Sequence, residues 1–157
     1  MGRYYYNQQG EEGKFWVGVQ PSDDPRTVYG MDEIEPDEPD ESWGEAYMDY
    51  WADDSEFIKL KLDTQFVRLG VPVEERKYEF RDATDIGNYV WDELIKYYMT
   101  KEKPKDSRVI GYYMGKDEPT LYPIDKDKEL AASRIQLGLF ILNTIRKYGK
   151  CSLNAEL

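Results

Sequence analysis

The chain has 157 residues and a net charge of −11, from 32 acidic and 21 basic residues, and it contains no histidine. The absence of histidine removes the commonest metal ligand and the commonest general base at neutral pH. The single cysteine, Cys151, excludes an internal disulfide framework and a zinc site built from several cysteines, and we expect a free, inert thiol.

Aromatic residues make up 15% of the sequence, which is far more than a disordered chain of this charge carries. We therefore expect one folded domain, residues 1–157, with a core rich in rings. The N-terminus lacks the apolar segment of a signal peptide, and no apolar run approaches the roughly 18 residues that a membrane span needs. These features predict a cytoplasmic protein without a membrane partner.

The first elements in chain order are short strands. Residues 14–20 (KFWVGVQ) alternate apolar and other side chains and predict a strand, and residues 3–6 predict a second one before a glycine-containing turn. Residues 21–25 (PSDDP) combine proline and aspartate, which favour turns. The expected start of the fold is a pair of strands followed by a turn.

The whole charge imbalance lies in the next segment. Between Arg26 and Lys59 there is no lysine or arginine, and twelve acidic residues give this segment a charge of −12. Residues 32–41 (DEIEPDEPDE) contain Pro36 and Pro39, which bias their predecessors toward extended conformations. We expect residues 32–41 to form an acidic, polyproline-like arm.

The sequence SWGEAYMDYWADD (42–54) follows this arm and predicts a short acidic aromatic helix. Ser42 and Glu45 fit the capping box that opens helices. Helical spacing puts four rings on one face: Trp43, Tyr47, Tyr50 and Trp51. It puts three carboxylates on another face: Glu45, Asp49 and Asp53.

Two interpretations of this helix remain open. In one, the rings pack into the core and the carboxylates form a solvated face. In the other, the acids imitate a nucleic-acid backbone for a basic partner, because one helical turn separates successive carboxylates by about 5.4 Å. Both hold together if the rings anchor a helix that displays the acids.

The remaining elements complete an α+β pattern. Strands are predicted at 56–62, 76–81 and 107–115, and a short helix from Asp63 to Leu69. Long helices are predicted at 83–103 and at 126–149, the second being apolar almost all round from Leu137 to Ile145. The expected fold is a four- or five-stranded, mostly antiparallel sheet packed with two long helices, plus the short acidic aromatic helix.

No motif predicts a reaction. A glycine-rich phosphate loop is missing, and the Asp125–Asp127 pair lacks the rest of a calcium loop. We expect no catalytic residue, metal site or cofactor, although an unrecognised carboxylate- or metal-dependent enzyme stays open. Two basic clusters are predicted to be solvated surfaces that balance the acid: Lys101, Lys103, Lys105 and Arg108 form one, and Arg76, Lys77 and Arg81 form the other.

The opening sequence MGRYYYNQQGEEGKFWVGVQPSDDP (1–25) resembles the start of uncharacterised small proteins of large DNA viruses. The shared features are MGRYY, a short polar link, GKF, and a stretch containing VQ, serine and aspartate. The resemblance implies a viral or mobile-element context and a location inside a host cell. It assigns no functional residue.

These observations favour a non-enzymatic acidic protein that binds and blocks a basic surface of a nucleic-acid-handling or defence protein, without binding nucleic acid itself. The predicted partner-binding residues are Asp37, Glu38, Asp40, Glu41, Glu45, Asp49 and Asp53. The alternative is a module for a nucleotide-type ligand, in which rings stack on a base and lysine or arginine holds phosphate.

Overall fold

The computed structural model describes residues 4–7, 14–16, 21, 23–34, 47–99, 110–113, 120–123 and 125–156. The strands are β1 (Tyr4–Asn7), β2 (Lys14–Trp16), β3 (Asp32–Ile34), β4 (Tyr47–Ala52), β5 (Ile110–Tyr113), β6 (Thr120–Pro123) and β7 (Cys151–Glu156). The helices are α1 (Asp24–Thr27), α2 (Ser55–Leu69), α3 (Ala83–Asn88), α4 (Ile95–Tyr98) and α5 (Lys126–Tyr148). The predicted α+β class is confirmed.

The described strands form one five-stranded antiparallel sheet and one separate antiparallel pair. The sheet has the order β2-β1-β7-β4-β3, and β5 pairs with β6. Strand β7 pairs with β4 over six residues, from Tyr47 opposite Glu156 to Ala52 opposite Cys151. The sequence did not predict a strand at β7, which lies at the centre of the sheet. Strand β3 lies at one edge.

Helix α5 confirms the prediction of a long, central helix. The side chain of Asp125 caps it by accepting hydrogen bonds from the backbone amides of Asp127 and Lys128 at 3.0 and 3.2 Å. Gly149 ends it in the left-handed conformation, with φ of 80°. Its middle is buried on all sides, because α5 packs against α2, α3 and α4.

Helix α2 corrects the predicted strand at 56–62. Ile58, Leu62, Phe66 and Leu69 are buried at helical spacing, whereas Leu60, which the strand prediction required inside, is 63% exposed. Asp54 caps the helix by accepting from the Phe57 amide at 3.1 Å. The apolar residues at 58, 60 and 62 alternate as in a strand, but 58 and 62 also belong to a longer helical pattern. The Asp54 cap and the apolar residues after Leu62 favour the helix.

Two more predictions of elements are wrong. Residues 76–81 form a connecting segment, held by Asn143, whose Oδ1 accepts from the Phe80 amide at 3.0 Å and whose Nδ2 donates to the Tyr78 carbonyl at 2.9 Å. The long helix predicted at 83–103 is interrupted by a π-turn at Tyr89–Glu93 and ends at Tyr98. Met99 leaves the helix with an extended backbone, before the predicted stop at Pro104.

Helix α1 lies where the sequence predicted only a turn, and it is tied to α5 by a buried ion pair. The Asp24 carboxylate accepts from Arg134 Nε at 3.0 Å, and the carboxylate side chain is 1% exposed. The hydroxyl of Tyr29 donates to the Arg134 carbonyl. Gly138 leaves room for this ring, because a Cβ there would lie 2.7 Å from Tyr29 Cε1. These contacts fix the chain just before β3.

Buried tyrosines predict a loss of stability in alkali. Burial raises the pKa of Tyr29 and of Tyr98, and the Asp24 charge raises that of Tyr29 further. Unfolded tyrosine ionises near pH 10, so stability is fully present below about pH 10 and is lost as the pH rises above it. We expect tyrosinate absorbance to rise cooperatively, together with the loss of circular dichroism. A smooth titration of all tyrosines in a protein that stays folded would contradict this.

The Cys151 thiol is free, as the sequence predicted, and it is buried. Burial raises its pKa to about 12, while a hydrogen bond with Thr144 acts in the opposite direction. The thiolate is the reactive form, so this thiol is inert near neutral pH. Its place in β7 is structural.

Candidate functional site

The acidic segment begins and ends in paired strands. We call β3, β4 and their connection 35–46 the acidic hairpin. Strand β3 pairs antiparallel with β4, with Asp32 opposite Trp51 and Ile34 opposite Asp49. The predicted arm at 32–41 therefore starts as an edge strand, not as a polyproline-like segment. The connection lies outside the described residues, and with it lie Asp37, Glu38, Asp40, Glu41, Trp43 and Glu45.

The predicted aromatic helix is wrong where the structure describes it, because Tyr47–Ala52 is strand β4. Successive side chains of a strand point to opposite faces, so Tyr50 and Trp51 do not share one. Tyr50 is 1% exposed in the core, whereas Trp51 is half-buried on the other face. The sequence favours this outcome, because a run rich in rings suits a strand and pairs with β7 over its whole length.

The change from helix to strand also alters the spacing of the acids. Four residues of strand span about 13 Å, so Asp49 and Asp53 are not separated by one helical turn. Asp49 Oδ1 accepts a hydrogen bond from Asn154 Nδ2 at 2.7 Å, which fixes this carboxylate on the outer face of the sheet. Asp53 is exposed directly after β4. The structure thus places both acids at the surface of the hairpin, but not as a regular ladder.

Some acidic residues outside the hairpin form ion pairs, whereas others, among them Glu74, Asp92 and Asp127, form none within the described ranges. Ion pairs join Asp63 to Arg76, Glu93 to Lys77, Glu75 to Lys96, Asp82 and Asp85 to Arg81, and Asp24 to Arg134. At the hairpin, Arg26 lies 4.0 Å from Glu33 and 3.7 Å from Asp23. Within the part of the chain that the structure describes, no ion pair reaches Asp32 or Asp53. The concentration of negative charge here follows from the sequence, because the segment between Arg26 and Lys59 has twelve acidic residues and no lysine or arginine.

The basic cluster of Arg76, Lys77 and Arg81 is built into the fold. The Arg76 side chain is only 11% exposed, donates to the Val71 carbonyl at 3.0 Å and lies over the Phe66 ring. The Lys77 ammonium is 3.0 Å from Glu93, and Arg81 is 3.4 Å from both Asp82 and Asp85. The cluster is therefore not the solvated surface balancing the acidic arm that the sequence predicted, because Arg76 is largely buried and all three cations pair with acids outside the arm. The second cluster, Lys101, Lys103, Lys105 and Arg108, lies outside the described residues.

In the described ranges, no group of three or more metal-ligating side chains lies together. None of the helices described combines the length and apolar content needed to cross a bilayer. Comparison with known protein families, curated proteins and solved structures finds no match to this chain. Function is therefore inferred from the geometry and charge of the molecule itself.

Proposed function

We propose that the protein binds, without catalysing a reaction or using a cofactor, to a basic surface on another protein through the acidic hairpin. The observation that carries this proposal is the concentration of negative charge. The segment between Arg26 and Lys59, which contains the hairpin, has twelve acidic residues and no lysine or arginine, whereas the rest of the chain sums to +1. An uncompensated negative surface attracts and orients a basic partner.

The position of β3 supports recognition through side chains. All three residues of β3 are exposed, and two of them are acidic. Charged side chains on an edge strand oppose the addition of a further strand. Contact through carboxylates therefore suits this edge better than pairing of backbones.

The proposed partner is a nucleic-acid-handling or defence protein, since such proteins carry basic surfaces that bind phosphates. The resemblance of residues 1–25 to proteins of large DNA viruses supports a setting inside an infected cell. The spacing of one helical turn between successive carboxylates does not apply at Asp49, because β4 is a strand. Mimicry would then depend on the summed negative field of the hairpin, not on a one-turn repeat.

A matched pair of variants tests the hairpin. The hairpin variant carries Asp37→Asn, Glu38→Gln and Asp40→Asn, and the control carries Glu74→Gln, Asp92→Asn and Asp127→Asn. Each variant removes three negative charges, and the control residues are exposed outside the hairpin. The wild type and the two variants are immobilised on a resin and incubated with host-cell lysate at about 0.15 M salt, where the Debye length is about 8 Å. The captured proteins are quantified by mass spectrometry.

We expect the wild type and the control to capture the same basic proteins, and the hairpin variant to lose most of them. Excess duplex DNA should displace those proteins, because it competes for the same surface. The isolated protein should not bind duplex DNA at this salt, since its acid repels phosphate. Equal capture by all three proteins would reject the proposal.

The nucleotide-type alternative loses support from the described cations. Arg76, Lys77 and Arg81, which it would use for phosphate, already have carboxylate partners at 3.0–3.7 Å. A phosphate would have to break these ion pairs.

A further inference from the structure

The two faces of the ladder formed by β3 and β4 differ in charge. Residues directly opposite each other in an antiparallel pair lie on the same face of the sheet. Glu33 is opposite Tyr50, which is 1% exposed, so this pair lies on the face that meets the core. Arg26 Nε lies 4.0 Å from the Glu33 carboxylate. The cation at this edge of the sheet thus accompanies the acid of the inner face.

The outer face of the same ladder combines an acid with apolar side chains. Asp32 is opposite Trp51, and Ile34 is opposite Asp49. The Asp49 carboxylate already accepts a hydrogen bond from Asn154. Asp32 is exposed, and within the described ranges no lysine or arginine forms an ion pair with it. Because Ile34 is 48% exposed, a carboxylate, an aliphatic side chain and a half-buried indole are neighbours on this face.

The indole of Trp51 differs from several other rings, which lie beside cations of the same chain. The Lys59 ammonium is 4.9 Å from the centre of the Tyr78 ring. The Lys77 ammonium is 5.5 Å from the centre of the Tyr89 ring. Among the residues that the structure describes, no cation lies over Trp51 and no ring stacks on it. A cation of a partner can therefore take the position that these lysines have at the other rings.

We propose that this outer face selects arginine over lysine in the basic partner. The planar guanidinium stacks on the indole of Trp51, and its N–H groups donate to the carboxylate of Asp32. Opposite residues of two strands have Cβ atoms roughly 4.5–5.5 Å apart, so one guanidinium reaches both side chains. The aliphatic stem of the same arginine lies along Ile34, as long basic side chains do on apolar surface.

The chemistry of the two basic side chains is the reason for the selection. A guanidinium is flat, weakly hydrated and carries donors in a fixed fork, so it stacks on a ring and pairs with a carboxylate at once. An ammonium is a compact and strongly hydrated charge, so it gains mainly the attraction of the acids. This inference rests on the proposed binding of a basic surface by the acidic hairpin, and it adds the residue type that the partner presents.

Two peptides of equal charge test the selection, and a second tryptophan supplies the control. Binding of fluorescently labelled hexa-arginine and hexa-lysine is measured by anisotropy at about 0.15 M salt, for wild type, Trp51→Leu and Trp91→Leu. Trp91 is 46% exposed in the π-turn, next to Asp92 and Glu93, so the control removes an indole beside acids elsewhere. We expect wild type and control to bind hexa-arginine about fivefold more tightly than hexa-lysine, and folded Trp51→Leu to prefer it less than about twofold.

The exposed residue Asp32 gives a second variant that does not touch the ring. Asp32→Asn should weaken the binding of hexa-arginine about threefold and that of hexa-lysine by less than about twofold, because only the guanidinium pairs with this carboxylate while it stacks. Circular dichroism verifies that the variant is folded. Equal weakening of both peptides would assign Asp32 to general attraction by charge and would reject the proposed geometry.

The outcomes separate this inference from the function on which it rests. Equal binding of the two peptides by wild type, or a preference that Trp51→Leu leaves intact, would overturn the selection of arginine. If the hairpin variant then binds both peptides more weakly than wild type does, recognition of a basic surface by the hairpin stands and only the selection fails. If wild type binds neither peptide, the proposed function fails together with this inference.

Discussion

Replacement of Asp24 by asparagine is expected to lower the free energy of unfolding by about 3–5 kcal/mol, because it leaves Arg134 without the charge that balances it in the interior. The Arg134 side chain is 15% exposed, and its Nε and Nη2 atoms lie 3.0 and 3.3 Å from the two Asp24 oxygens. Asparagine has nearly the same shape as aspartate, so the loss reports charge rather than packing. Urea unfolding followed by circular dichroism measures it.

The neighbouring residue supplies the control for Asp24. Asp23 lies 3.7 Å from Arg26, and both side chains are about half exposed. Surface pairs of this kind contribute roughly 0–1 kcal/mol, so Asp23→Asn should leave the unfolding curve almost unchanged. If Asp24→Asn also changed the free energy of unfolding by less than about 1 kcal/mol, the pair would not hold α1 on α5.

The consequence of the Asp24 pair extends to the acidic hairpin. Helix α1 is followed by Tyr29, whose hydroxyl binds the Arg134 carbonyl, and then by β3. The ion pair and this hydrogen bond therefore attach both ends of one short segment to the same turn of α5. A loosened α1 should reduce the order of β3 before it affects the centre of the sheet.

Elements with complete local signals could be predicted from the sequence. Helix α5 has a capping aspartate, a long apolar run and Gly149 at its end, and the structure confirms it with almost the predicted bounds. For α2 the same kinds of signal were present, since Asp54 caps it and Gly70 ends it with φ of 88°. Within residues 56–62 alone, the alternation of Ile58, Leu60 and Leu62 favours a strand. Over the full fifteen residues, the helical spacing of the buried side chains decides the structure.

Elements that depend on distant partners could not be predicted in this way. Strand β7 is six residues long, and it is placed by β1 and β4, whose paired residues lie 99 to 150 positions earlier. Its local signal was the alternation of Cys151 and Leu153, both buried, with Ser152 and Asn154. The helix prediction is wrong over Tyr47–Ala52 for the same reason, because helical spacing describes a local preference and pairing with β7 and β3 makes this segment a strand.

The candidate site was predicted in composition but not in geometry. The concentration of acid between Arg26 and Lys59 follows from the sequence alone, and Asp49 and Asp53 lie at the surface. The hydrogen bond from Asn154 to Asp49 could not be foreseen, since it requires the register of β7 against β4. The ion pairs of Asp63, Glu93, Glu75 and Asp24 likewise join residues at least 13 positions apart, whereas those of Arg81 and the Asp23–Arg26 pair are local.

Replacement of Tyr50 by alanine is expected to lower the free energy of unfolding by about 3–5 kcal/mol, because a fully buried ring is removed and a cavity remains. Trp51→Ala should cost clearly less, roughly 1–2 kcal/mol, since that side chain is half-buried on the outer face of the sheet. The predicted helix puts Tyr50 and Trp51 on one face, and in one interpretation both rings pack into the core, whereas the strand buries Tyr50 fully and leaves Trp51 half-buried. Paired urea titrations of the two variants measure the difference.

The comparison of Tyr50 with Trp51 also separates support from recognition in the acidic hairpin. Tyr50 faces the core from β4, so its loss should reduce partner capture only as far as the protein unfolds. Trp51 lies one residue from it on the face that carries Asp49, and large half-buried rings are typical anchors of protein interfaces. We therefore expect folded Trp51→Ala to capture less of the basic partner than folded wild type. Undiminished capture would confine recognition to the carboxylates, whereas an equal loss of stability in both variants would place Trp51 in a second buried layer.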